Sequence, residues 1–267
     1  MIFASDLDRT LIYSKRALVE FGLSKTTERI PVECKDGQWI SFMTASSYSI
    51  LKEICSRFLF VPVTTRTTEQ FKRIFIFKKD IPITYAITSN GGHILYKGEE
   101  LEEWSEILSA RLQWETSTIK ELQFFLQKER FHLDGVVKQA ESLFFYFILE
   151  SSPSRFELNR ISNAVSSFGW RISLQGRKLY FIPKAINKGD ALEFICRKEG
   201  RVAMAGAGDS NLDWDFLKHC RNRIVPIHGE LASKESLDTY SVTSNRGILA
   251  GEEILQKSLS LLTVQTY

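Results

Sequence analysis

Short apolar runs alternate with stretches of helical spacing at both ends of this chain. Ile2–Ser5 is continuously non-charged and runs into Asp6, which predicts a buried strand with acids at its C-terminal end. Residues 44–58 place Tyr48, Leu51, Ile54 and Cys55 on one helical face. Residues 58–63 are apolar again and end in Thr64-Thr65-Arg66. Residues 69–77 predict another helix. Tyr85–Thr88 predicts a third strand, closed by Ser89-Asn90-Gly91-Gly92, a strong turn signal. Strands alternating with helices predict an α/β fold with a mostly parallel, Rossmann-like sheet covered on both faces.

The rhythm changes in the middle. Residues 102–130 are helical in pattern, and 136–150 read as a hairpin. Residues 153–168 read as a helix opened by Ser152 or Pro153. Residues 170–182 read as a second hairpin with Gln175-Gly176 near its turn. This order predicts an inserted α+β domain over residues 94–182, with the α/β core built from 1–93 and 183–267. In the third stretch, helices are expected over 188–198, 213–220 and 248–262, and strands over 201–205, 223–227 and 240–243. No internal repeat is visible.

Composition narrows the function classes. The chain has 267 residues, 43% hydrophobic and 25% charged, which suits a globular core. A net charge of +3 is too small to argue for nucleic acid. Cys34, Cys55, Cys196 and Cys220 are far apart and form no CxxC pair, so reduced, buried thiols are expected rather than zinc ligands or disulfides. The start, MIFASDLD, lacks the features of a signal peptide, and no apolar run approaches membrane-spanning length. A cytoplasmic protein with no membrane partner is the expectation.

Four constellations carry candidate chemistry. Asp6-Leu7-Asp8-Arg9-Thr10-Leu11 sets two acids just past a strand, where ligands bind in open α/β sheets. One carboxylate can attack phosphorus there while the other handles a proton; a turn with two solvated acids and a Thr10 helix cap is the plainer alternative. Asp209-Ser210-Asn211-Leu212-Asp213 follows a small-residue strand and offers hard oxygen ligands suited to Mg²⁺, or simply a glycine turn with a capped helix. Thr64 and Thr65 suit a phosphate oxygen, or a helix N-cap. Lys188 opens a helix against the helix dipole, which an anionic partner would explain; a solvated lysine is the alternative.

Their order along the chain, together with Ile87-Thr88-Ser89-Asn90-Gly91-Gly92 and Asn187-Lys188-Gly189-Asp190-Ala191-Leu192, resembles the haloacid dehalogenase (HAD) superfamily of phosphatases. The resemblance is to the type IIB subgroup, whose cap lies between the second and third motifs. It spans residue 3 to about 217, and Thr243-Ser244-Asn245-Arg246-Gly247-Ile248 looks like the family's last loop. The resemblance implies Asp6 as nucleophile and Asp8 as general acid/base. It implies Thr64, Thr65, Lys188 and Asn90 as phosphate-binding groups, and Mg²⁺ held by Asp6, Asp8 through its main-chain carbonyl, Asp209 and Asp213. It also implies a cap that closes over the site and selects a small phosphorylated metabolite, by analogy a sugar phosphate.

Two departures stand out. Leu212 occupies a place that is usually asparagine, and Thr65 one that is often glycine. Phosphosugar mutases share the motifs, and a catalytically weak binding protein is the reading that Leu212 would favour. His93, His132, His219 and His228 show no metal spacing and have no expected role. The aromatic run 144–147 is expected to be sheet core rather than a base-stacking platform, and Arg171, Arg177 and Lys178 are expected to be solvated hairpin charges.

Overall fold

A computed structural model describes residues 1–22, 27–131, 133–233 and 239–264; His132 lies outside them. The chain forms two compact units, Met1–Leu101 with Lys188–Tyr267, and Glu102–Asn187. In chain order the first unit contains β1 (Ile2–Ser5), β2 (Tyr13–Ser14), α1 (Lys15–Phe21), β3 (Arg29–Lys35), β4 (Gln38–Thr44), α2 (Ala45–Arg57), β5 (Leu59–Pro62), α3 (Thr68–Lys72), α4 (Ile76–Lys79), β6 (Tyr85–Thr88), β7 (His93–Tyr96) and β8 (Glu99–Glu100). The second unit holds α5 (Glu102–Glu115), α6 (Ile119–Lys128), β9 (Gly135–Ala140), β10 (Phe144–Leu149), α7 (Arg155–Ser166), β11 (Trp170–Gln175) and β12 (Lys178–Pro183). The first unit resumes with α8 (Lys188–Glu199), β13 (Ala203–Ala207), α9 (Trp214–Leu217), β14 (Asn222–Val225), β15 (Ser241–Val242) and α10 (Ile248–Val264).

The central sheet of the first unit has the order β15-β14-β13-β1-β5, and every pairing in it is parallel. β1 lies between β13 and β5 and is buried along its whole length, as a strand with helices on both faces must be. Phe3 stacks on Phe60 across the β1–β5 pair, with ring centroids 5.4 Å apart. Thr44 caps α2 by accepting from the Ser47 amide at 2.9 Å, and Leu51 and Ile54 carry that helix into the core with Ile254, Leu255 and Leu262 of α10.

Three sequence expectations shift. Residues 69–77 form two short helices instead of one, because Phe71, Ile74, Ile76 and Phe77 all enter the core, more than one straight stripe can deliver. The β3–β4 hairpin has no counterpart in the periodicity: Pro31 and two register irregularities interrupt its alternation. Its signal was Asp36-Gly37, both left-handed, at φ 50° and 73°, a hairpin turn pair. The unit boundaries also fall later than residues 93 and 182. β7 pairs antiparallel with β6 and so stays with the first unit. Residues 184–187 stay with the second, where the Lys184 amide donates to Gly169 and Arg171 donates to the Ile186 carbonyl at 3.1 Å.

The second unit is a four-stranded antiparallel sheet, β11-β12-β10-β9. Phe145 stacks on Phe181 at 4.9 Å, and Trp170 donates its indole N–H to the Ser117 carbonyl at 3.0 Å. The aromatic run is therefore largely sheet core, with Phe144 and Phe145 buried. α7 is capped by Ser154, one residue beyond Pro153. Among the described residues, no helix is long and apolar enough to cross a membrane.

The last loop of the first unit is tied down by Glu253 on α10. Its carboxylate accepts from the Ser244 amide at 2.9 Å, and from the Asn245 amide and side chain at 2.9 Å each. Burial alone would raise its pKa, but the hydrogen bonds from Lys257, Ser244 and Asn245 outweigh it and bring it from 4.5 down to about 2. A depressed carboxylate contributes stability above pH 4.5 that is lost as pH falls toward 2. The melting-temperature gap between wild type and Glu253→Gln should therefore be open at pH 5 and above and close as pH falls from 4.5 to 2.

Candidate active site

Leu7 organises the loop beyond β1. Its carbonyl receives the amides of Thr10, Leu11 and Ile12 at 3.2, 2.9 and 2.8 Å, coiling the chain so tightly that Arg9 sits at φ 64°. Two side chains hold the Arg9 carbonyl: the Tyr13 hydroxyl at 3.0 Å and His228 Nε2 at 2.8 Å. His228 Nδ1 accepts from the Gly247 amide at 3.2 Å, so Nε2 carries the ring proton. This histidine staples the last loop to the first. The Arg9 guanidinium pairs with Glu20 at 2.7 Å and lies 3.9 Å from the Asp209 carboxylate.

Asp6 is buried. Its Oδ1 accepts from Lys188 Nζ at 3.1 Å and its Oδ2 from Thr10 Oγ1 at 3.2 Å. Lys188 is fully enclosed and bridges onward to Asp213 Oδ1 at 2.5 Å. The lysine that looked misplaced at a helix start is thus neutralised by two carboxylates. Gly189 permits this: a Cβ there would sit 2.2 Å from the Asp215 carbonyl oxygen, so α8 reaches α9 only with glycine at that position.

Asp213 builds the opposite wall. Its Oδ2 accepts from the amides of Asp209 and Ser210 at 3.0 and 2.8 Å and from Ser210 Oγ at 2.9 Å. Gly208 lets it approach, since a Cβ there would lie 2.5 Å from that of Asp213. Leu212 is buried and does not prevent the loop from closing. Asn211 is held by Glu230 through its amide at 3.0 Å and through its side chain. Asp6, Asp209 and Asp213 each place a carboxylate oxygen within 4.8 Å of the others. Burial raises Asp6 to about 7; Asp213 and Asp8 add to the rise and Lys188 opposes it. Asp209 is pushed well above its ordinary value, first by burial and then by Asp6 and Asp213. Buried acids that repel one another are a donor set suited to a small hard cation.

The backbone stitches together the third and fourth groups. Val63 donates to the Ser5 carbonyl at 2.8 Å, which sets Thr64 beyond the strand end next to that of Asp6. The Asn90 amide donates to the Thr64 carbonyl at 3.0 Å, and the Ser89 amide to that of Arg66 at 2.7 Å. Asn90 is left-handed at φ 61° and fully buried, and neither its Oδ1 nor its Nδ2 finds a hydrogen-bond partner. An unspent buried side-chain amide makes Asn90 a candidate ligand contact. Thr65 is half-buried beside Thr64.

Asp8 differs from the others. Its side chain is 44% exposed, and Arg66 grips it with two hydrogen bonds, Nε to Oδ2 at 2.6 Å and Nη2 to Oδ1 at 2.7 Å. Arg66 and its buried partner Glu33 carried no site expectation from the sequence, because Glu33 sits in the unrecognised hairpin and pairing across 33 residues leaves no local trace. In the second unit, Arg177 donates to the Leu149 carbonyl at 2.8 Å, and so ties the β11–β12 turn to the end of β10.

With the geometry in hand, comparisons place the architecture. No family model matches the chain. One curated relative, a phosphoglycolate phosphatase from Staphylothermus marinus, is 30% identical over 91 residues, a match spanning 33% of this chain and 38% of that relative. Solved structures match over nearly the whole length. The sucrose-phosphatase of Synechocystis, solved with sucrose and phosphate, superposes with a TM-score of 0.69 at 14% identity, covering 98% of both chains. A HAD subclass IIB sugar phosphatase gives 0.62 at 14% identity, covering 98% of this chain and 99% of that one. A phosphatase of the same superfamily from Bacteroides thetaiotaomicron gives 0.57 at 13%, covering 97% and 95%. The structural neighbours of this chain are HAD superfamily phosphatases, and its fold is theirs, an α/β core with a parallel sheet and additional antiparallel sheets.

The Lys188 bridge makes a stability prediction. Lys188→Met strips the compensating charge from buried carboxylates and should cost about 3–5 kcal/mol. Asp6→Asn relieves the crowding of acids and should cost much less. Urea unfolding of both variants in EDTA checks the order; equal losses would mean that Lys188 does not offset the acids.

Proposed function

We propose that this protein is a phosphatase that hydrolyses a small phosphorylated metabolite through an aspartyl-phosphate on Asp6, with Asp8 as acid and base. The observation that carries the reading is a buried Asp6, hydrogen-bonded to an enclosed lysine at 3.1 Å, with a second and accessible carboxylate two residues on. Asp6 attacks phosphorus while the bond to the leaving oxygen breaks, and Asp8 protonates that oxygen. Asp8 then takes a proton from water, which attacks the phosphorus of the acyl phosphate and frees Asp6 and inorganic phosphate. Lys188, the Thr64 hydroxyl and the Asn90 amide bind the phosphoryl oxygens, with Thr65 at the entrance, and offset the charge spread over them.

Asp6, Asp209 and the Asp8 carbonyl would hold Mg²⁺, with Asp213 fixing the loop that presents Asp209. When bound, the ion supplies positive charge against the phosphoryl group and relieves the repulsion among the acids. We assign the second unit the role of a cap that selects the substrate. Sugar phosphates are the favoured class, because the sucrose-phosphatase and sugar phosphatase neighbours match over almost the full length.

Inorganic phosphate release from a panel of phosphorylated sugars and other metabolites tests this, with Mg²⁺ and with EDTA. Release should require Mg²⁺, vanish in Asp6→Asn, and slow by about 10²–10⁴ in Asp8→Asn. Full activity in Asp6→Asn would sink the covalent route. Phosphate moving to a second position on the sugar, with none released to water, would replace hydrolysis by mutase chemistry.

A further inference from the structure

We propose that Glu33 and Arg66 are positioning residues for Asp8, a relay of ion pairs that orients its carboxylate for proton transfer; this rests on the phosphatase reading above. Arg66 commits all three guanidinium nitrogens. Nε and Nη2 take the two oxygens of Asp8 at 2.6 and 2.7 Å, and Nη1 faces Glu33 Oε1 at 2.8 Å as an ion pair. Glu33 is 1% exposed, its other oxygen accepts from Ser41 Oγ at 2.6 Å, and Arg73 Nε stands 3.3 Å from Oε1. Two acids and two arginines thus alternate, from Asp8 through Arg66 and Glu33 to Arg73.

Three physical points favour positioning over mere support. A buried ion pair is expensive to desolvate and is often no more stabilising than a well-packed apolar pair, so the fold by itself has little need of Glu33 and Arg66 together. A bidentate guanidinium fixes the plane of a carboxylate, where a lysine would fix only a distance. Asp8 also projects from a tight loop and is 44% exposed, so without the fork its carboxylate would sample several rotamers and lose effective concentration at the leaving oxygen. Arg66 fixes Asp8, and Glu33 fixes Arg66.

The test is leaving-group dependence. kcat/KM covers the chemistry only as far as the first irreversible step, in which Asp8 acts as an acid. A nitrophenyl leaving group needs little protonation there, whereas an alkoxide needs it fully. Wild type, Arg66→Lys and Glu33→Gln are to be compared on p-nitrophenyl phosphate, on aryl phosphates of rising leaving-group pKa, and on glycerol phosphate, at saturating Mg²⁺. Both variants should stay within about threefold of wild type on p-nitrophenyl phosphate and fall about ten- to a hundredfold on glycerol phosphate, a portion of the usual acid–base factor. The loss should appear in kcat with KM nearly unchanged. Thermal melting checks folding; if Glu33→Gln does not fold, Arg66→Lys decides alone, since it keeps the charge and loses the fork. Equal losses on every substrate, or none, overturn the relay while phosphatase activity abolished by Asp6→Asn still stands. A wild type that releases no phosphate from any substrate overturns both.

Discussion

One buried ammonium group holds this site together. Lys188 sits fully enclosed between Asp6 and Asp213, and without it three clustered acids would lose their central counter-charge. Burial alone would lower its pKa; the two carboxylates outweigh that and hold it above its ordinary value. Asp209 and Asp6 are pushed up, Asp6 to about 7 even with its lysine partner in place. One ammonium among three clustered acids leaves the arrangement short of positive charge, which is the electrostatic condition for admitting a cation.

The acids divide by what their oxygens are doing. Asp213 spends both of its oxygens on the protein, one on Lys188 and one on the amides and hydroxyl of the Asp209–Ser210 turn. Asp209 is held by its backbone and leaves its carboxylate facing Asp6 and Arg9. Asp8 alone is open to solvent and gripped by a guanidinium. Burial, hydrogen bonding and exposure give chemically identical groups different surroundings, which is the basis of the separate roles proposed for them.

Much of this was legible because it is local. Asp6 and Asp8 follow an apolar run, Asp209 and Asp213 follow a run of alanine and glycine, and Ser89-Asn90-Gly91-Gly92 announces its own turn. Lys188 was visible as an electrostatic anomaly at a helix start. Arg66 and Glu33 were not legible, since their pairing depends on a hairpin whose alternation is broken by Pro31 and by irregular register. The single helix expected over 69–77 failed for a related reason. Four core-facing residues there outvoted the regular spacing, a decision that tertiary packing makes and local pattern cannot.

The position of β1 has a consequence for synthesis. The strand that delivers Asp6 is synthesised before both of its partners, and β5 can pair with one of its edges about sixty residues later. Its other edge belongs to β13, which starts at Ala203. Until then the nascent chain carries an apolar strand with a row of unpaired amides and carbonyls. The second unit, being contiguous in sequence, can fold during that interval. A chaperone that binds extended apolar segments would therefore find its target in Ile2–Ser5, and would release it as residues 203–207 arrive.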